Sequence, residues 1–89
     1  MIEVLVRMWE AKAAPDRFAE AAEYARNAVL PAARAAEGNL GADAYASVEQ
    51  GRVVVITRWL AEYAGGWTEP EPPAGLWARP PHAWTFTPL

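Results

Sequence analysis

The chain has no cysteine, a single histidine and a single lysine. Without thiols there can be no disulfide, no thiolate nucleophile and no zinc–thiolate site. One histidine, His82, and no clustered carboxylates cannot build an ordinary transition-metal or calcium site, so no metal is expected. No glycine-rich phosphate loop or dinucleotide fingerprint is present, which argues against nicotinamide, flavin and nucleotide cofactors. Ser47 stands in no nucleophile elbow. The net charge of −3, with no Lys/Arg cluster, speaks against nucleic acid, whose binding depends on phosphate neutralisation. No apolar run approaches the roughly 20 residues of a membrane span. Met1-Ile2-Glu3 leads at once into a strand carrying Glu3 and Arg7, unlike a signal peptide. A soluble, cytoplasmic protein is the expectation.

What the chain does have is alanine and aromatic mass. Hydrophobic residues make up 53% of its 89 residues, but many are alanines, which bury little area each. The larger apolar side chains lie in two Val/Ile-rich segments and in ten aromatic residues, five of them Trp. One domain over residues 1–89 is expected. A chain this short with two-sided hydrophobic strands often completes its core by pairing with a second copy, so a homodimer is expected as well.

Ile2 to Trp9 alternates with apolar residues on both faces, as in a strand covered on two sides. Pro15 and Asp16 suit the first turn of a helix. From there to Glu37, Phe18, Ala22, Ala25, Val29, Ala32/Ala33 and Ala36 recur at steps of three and four, opposite a charged face. Pro31 removes the bond to the Asn27 carbonyl and predicts a kink or division, and Gly38 is the natural stop. Ala42 to Glu49 alternates again, Gln50-Gly51 makes a hairpin turn, and Arg52 to Leu60 is the strongest strand. Ala61 to Ala64 allows one helical turn before Gly65-Gly66. Thr68 to Pro73 is extended and proline-rich, and Ala83 to Thr87 alternates as a last strand. The order predicts a small α+β domain suited to holding something aromatic.

Four segments carry a family likeness: Trp9-Glu-Ala-Lys12, Pro31-Ala-Ala-Arg34, Gly38-Asn-Leu-Gly41 and Val55-Ile-Thr-Arg-Trp59. With them the chain resembles the antibiotic biosynthesis monooxygenase family over residues 2–60 and again at 82–88. The resemblance implies a ferredoxin-like, four-stranded antiparallel sheet with one long helix, two copies pairing as a dimeric α+β barrel. Its second helix would be reduced to the Pro/Gly-rich segment. It also implies cofactor-free oxygenases of secondary (polyketide or antibiotic) metabolism acting on anthrone- or quinol-type aromatics, and haem-degrading relatives. Two departures stand out. Val55 occupies the position where the anthrone oxygenases usually carry Asn, and the span 61–81 lacks both a full second helix and its histidine.

On this resemblance Trp59 is a pocket wall that stacks on a planar substrate during oxygen attack; otherwise it is an aromatic core residue. His82, the one side chain titrating near neutrality, is a candidate general base or an exposed loop residue after Pro80-Pro81. Arg7 and Arg58 lie on apolar strands, where a charge needs a partner. If they share a face they could bind a carboxylate or phenolate; otherwise Glu3, Asp43 or Glu49 could pair with them. Tyr45 and Tyr63 could donate to a ligand oxygen. Trp67, with Trp77 and Trp84, could form an aromatic cage or pack a helix-poor segment on the sheet. Three functions remain open: a cofactor-independent oxygenase acting on a small aromatic phenol or quinol, a non-catalytic protein binding an aromatic ligand or a partner, and a polyketide cyclase. A cavity lined by Trp59 would favour an enzyme. A cavity plugged by Trp67 or Trp77 would favour binding.

Overall fold

The computed structural model of the chain describes residues 3–89, so Ile2 lies outside the described residues. The first strand, β1, spans Val4–Lys12. It pairs antiparallel with β3 (Arg52–Leu60) in the centre of a four-stranded sheet ordered β2-β3-β1-β4. β2 (Asn39–Ser47) flanks β3, and β4 (His82–Phe86) flanks β1, both antiparallel. This is the ferredoxin-like arrangement expected.

Register fixes which side chains share a face, because alternate residues point opposite ways. Trp9 lies opposite Val55 and Ala83, while Glu10 lies opposite Val54 and His82. Odd-numbered residues of β1 and β3 therefore face the helix, and even-numbered ones face away. The helix side is buried: Trp9, Ala11, Val53, Val55, Thr57 and Trp59 are each at most 5% exposed. Ala21, Ala25, Val29 and Ala33 of the helix close this core. Their small side chains let the helix lie close on the strands.

The helical region starts later than the sequence predicts. Asp16 takes a left-handed conformation (φ 64°), which a short polar side chain tolerates. Pro15 and Asp16 thus form a turn, closed by the Arg17 N–H donating to the Ala14 carbonyl at 3.0 Å. Helix α1 runs Phe18–Tyr24 and α2 runs Leu30–Ala35. Between them Ala25–Val29 forms a π-helical turn in which the Leu30 N–H donates to Ala25, five residues back. Pro31 has no N–H, and its ring would crowd the Asn27 carbonyl of a regular helix. The wider turn accommodates it. The predicted division is real, and it takes the form of a π turn. The helix stops at Ala35 with Ala36 extended, and Gly38 (φ 82°) turns the chain into β2.

β2 begins three residues earlier than its alternation suggests. A bulge at Leu40 lets Asn39 pair with Trp59 and Gly41 with Arg58. The Asn39 Oδ1 accepts the Gly41 N–H at 2.9 Å, which locks the bulge. At the other end, Val48 and Glu49 belong to the turn, where Gly51 takes φ 63°. After β3, Ala61–Ala64 forms the single helical turn α3. Residues 65–81 then cross the helix side of the sheet as an extended strap in place of a second helix. The strap is tied to the end of β1: the Ala14 N–H donates to Leu76 O, and the Ala78 N–H to Lys12 O, at 2.8 and 2.9 Å. Leu76, within the strap, is itself buried.

Candidate functional site

Trp59 ends β3 on the helix side and is 1% exposed. Its indole N–H donates to Thr57 Oγ1 at 2.7 Å, and Thr57 in turn faces the Arg7 carbonyl at 3.4 Å. Arg7, opposite Thr57 on β1, shares this face and is a diagonal neighbour of Trp59. The strap covers both. Trp67 lies on Trp59 with ring centroids 5.4 Å apart and planes tilted by 34°. Glu69 forms an ion pair with Arg7, using both carboxylate oxygens on the two terminal guanidinium nitrogens. The Trp67 indole N–H is buried and has no acceptor among the described residues.

A second aromatic group sits beside the first. Trp77 meets Trp9 and Tyr24 edge-on, at 5.4 and 5.6 Å. The Tyr24 hydroxyl donates to the Pro70 carbonyl of the strap. Burial, with a smaller contribution from the Glu69 charge, pushes the Tyr24 phenol up to about 12. The space beneath the missing second helix is therefore filled by Trp67 and Trp77. Further along the helix, toward β2, a cleft of about 160 Å³ remains, walled by Ala22, Ala25, Leu30, Ala44, Ala46 and Val53.

The sequence candidates divide between two faces. Trp59, Trp67 and Arg7 meet on the helix side. Arg58 and Tyr45 lie on the opposite face, so the two arginines do not form one anion site. Arg58 reaches across Gly41 to Asp43 at 3.1 Å, one of the pairings anticipated for it. Arg7 takes Glu69 instead of Glu3, Asp43 or Glu49, because Glu3 precedes β1 and Asp43 faces away. His82 is exposed on the face away from the helix and stacks on Trp84, with centroids 5.8 Å apart. It cannot serve Trp59 within one subunit. Tyr63 packs over Gly38, and its hydroxyl donates to Glu37 Oε1 at 3.3 Å. Its pKa is raised, chiefly by the Glu37 charge. Val55 is buried between Trp9 and Ala44, so this position offers no amide.

Sequence reasoning did not single out Glu69, Tyr24 or Thr57. Thr57 was within reach, since it shares the parity of Val55 and Trp59. Glu69 and Tyr24 depend on where the strap crosses, which no local pattern encodes.

The face away from the helix is apolar and open. Val54 and Ile56 are half-buried at its centre, while Tyr45, Trp84 and Phe86 are 58%, 45% and 49% exposed. A trough of about 310 Å³ lies there between Tyr45 and Trp84, with the Arg52–Glu10 ion pair (3.1 Å) on its floor. No helix among the described residues is long and apolar enough to cross a membrane.

Solved structures share this architecture throughout. Rv0793 from Mycobacterium tuberculosis superposes with a TM-score of 0.74 at 21% identity, over 97% of this chain and 95% of that one. A monooxygenase from the gene ActVA-Orf6 of Streptomyces coelicolor, in complex with nanaomycin D, gives 0.65 at 22% identity, over 99% and 88%. The fold is that of the antibiotic biosynthesis monooxygenases. A candidate member from Bordetella bronchiseptica gives 0.64 at 17% identity, over 98% of each chain. No family model and no curated protein matches the sequence. In this chain the strap packs Trp67 and Glu69 onto the helix side of the sheet.

Proposed function

We propose that this protein is a small cofactor-independent oxygenase that takes a planar phenol or quinol on the helix side of its sheet, at Trp59 and Arg7. The observation that carries the reading is the adjacency of a buried aromatic wall and a guanidinium on one face, in a fold shared with a monooxygenase solved with nanaomycin D. Trp59 would stack on the ring system, and Arg7 would hold its anionic oxygen. Exclusion of water there leaves an electron-rich anion that can reduce dioxygen directly. For an anthrone the balance is one dioxygen consumed and the quinone and one water formed, with no external reductant.

The open apolar face supports a homodimer, since a second copy would cover Val54, Ile56, Trp84 and Phe86. His82 then lies at the subunit boundary, away from the Trp59 of its own chain.

A second reading has an observation of its own. Trp67 and Glu69 already occupy Trp59 and Arg7, and Val55 brings no polar group. These features favour a protein that binds an aromatic ligand without turning it over. Oxygen uptake with anthrones and quinols in metal-free buffer separates the two. Uptake above the uncatalysed rate that falls at least tenfold in Trp59→Phe or Arg7→Met, and persists in His82→Ala, supports the oxygenase. Ligand binding with no uptake across the panel would leave the binding protein.

A further inference from the structure

The strap imitates a ligand. Trp67 offers a planar ring system to Trp59, and two residues on Glu69 offers a carboxylate to Arg7. The carboxylate meets the guanidinium with two oxygens on two nitrogens, a fork-to-fork geometry that a lone phenolate oxygen cannot reproduce. The Trp67 indole N–H, buried with no acceptor among the described residues, marks an occupant less well matched to the site than the ion pair beside it.

The attachment of the strap is uneven. Its distal part is fixed by the Ala14 and Ala78 amides, by buried Leu76, and by Arg17, whose Nη1 donates to the Ala74 carbonyl at 2.7 Å. Its proximal part begins at Gly65-Gly66, both exposed, and is held through Trp67, Glu69 and the Pro70 carbonyl. Release of those three contacts would free residues 66–73 as one piece without disturbing the sheet.

We propose that residues 66–73 are an autoinhibitory plug, displaced by a polycyclic aromatic carboxylate whose rings replace Trp67 on Trp59 and whose carboxylate replaces Glu69 on Arg7. The proposal rests on the site location given above and goes beyond the phenol or quinol reading by placing a carboxylate, not a phenolate, on Arg7. Glu69 competes with the ligand carboxylate for the same guanidinium, so its charge sets the affinity. Once displaced, the Glu69 carboxylate returns to water.

The test uses fluorescent anthracene-2-carboxylate and, as its neutral counterpart, 2-(hydroxymethyl)anthracene, with wild type and Glu69→Gln. The substitution should tighten both probes about tenfold, because either must displace the strap to reach Trp59, while the carboxylate should bind at least tenfold more tightly than the alcohol in each protein. Limited chymotryptic cleavage after Trp67, on wild type at saturating carboxylate, reads the strap itself and does not depend on a variant folding. Trp67 is half-buried against Trp59 in the closed strap, so cleavage of the Trp67–Thr68 bond should be faster with ligand bound, the reverse of ordinary ligand protection. Equal binding of the two probes, no binding of the carboxylate by either protein, no gain in affinity on Glu69→Gln, or slowed or unchanged cleavage after Trp67 would overturn the plug. Anthrone oxidation is scored separately: uptake without strap release sinks only the plug, and strap release without uptake sinks only the oxygenase.

Discussion

Trp67 lies over Trp59 with ring centroids 5.4 Å apart, although the two lie eight positions apart with the α3 turn between them. The contact seals the end of the core that a second helix would otherwise cover. Truncation to Ala at position 67 should cost about 2 kcal/mol, less than for a fully buried Trp because the ring is only half-buried. Trp67→Phe should cost under about 1 kcal/mol, since it also removes an indole N–H that has no acceptor among the described residues. Urea unfolding of the two variants measures both. Equal losses would mean that the ring contributes nothing beyond its first carbons.

Gly38 and Gly51 both adopt positive φ, at 82° and 63°, yet their surroundings differ. A Cβ at Gly38 would overlap the Tyr63 ring, whereas one at Gly51 would meet open space. Gly51→Ala should therefore cost only the backbone term, about 1 kcal/mol. Gly38→Ala should cost about 2 kcal/mol or more, because Tyr63 must also move. Thermal unfolding of the two variants ranks them, and a larger loss at Gly51 would contradict the packing at Tyr63.

Most of this architecture was legible in the sequence because alternation and helical spacing are local. β3 and the turn at Ala61–Ala64 match the pattern residue for residue. The boundaries moved where a single residue made its own local bond: Asp16 turned left-handed before the helix, and Asn39 locked a bulge that lengthened β2. The site was legible only in part. Trp59 and Arg7 share a face by parity alone, which register makes predictable once β1 is paired with β3. The Glu69–Arg7 and Tyr24–Pro70 contacts join residues 62 and 46 positions apart through a segment with no periodicity. His82 failed as a partner for Trp59 because the pairing of β4 sets its parity with Glu10, and hence the opposite face.

Tyr24 links the core to the strap and should report on both in alkali. Its phenol is pushed up from 10 to about 12, first by burial and then by the Glu69 charge. A raised folded-state value means that the neutral phenol is favoured in the native protein. Its contribution to stability is complete below pH 10, the unfolded value, and is lost as pH climbs through 12. Two units correspond to roughly 2–3 kcal/mol at most. Unfolding free energy should therefore fall between pH 10 and 12 in wild type and fall less steeply in Tyr24→Phe. Absorbance near 295 nm should show one of the three tyrosines ionising only with unfolding. Parallel pH profiles for the two proteins would rule out a neutral, buried Tyr24.

Ile56 stands at the centre of the open face, between Met8 on β1 and Asp43 on β2. An apolar sheet face left in water costs about 25 cal/mol per Å², and a second copy seated on it would remove that cost. Light scattering at micromolar concentration should return about twice the 9.7 kDa chain mass. A lysine at position 56 would bring a charge into each half of such an interface beside an Asp43 already paired with Arg58, at a cost of a few kcal/mol per dimer. Ile56→Lys should therefore return a mass near that of the single chain, with its far-ultraviolet circular dichroism unchanged because Ile56 lies outside the helix-side core. Trp84→Ala, nearer the edge on β4, should weaken dimerisation without abolishing it. A wild-type mass of one chain would refute the homodimer outright, and a dimeric Ile56→Lys would move the interface off this face.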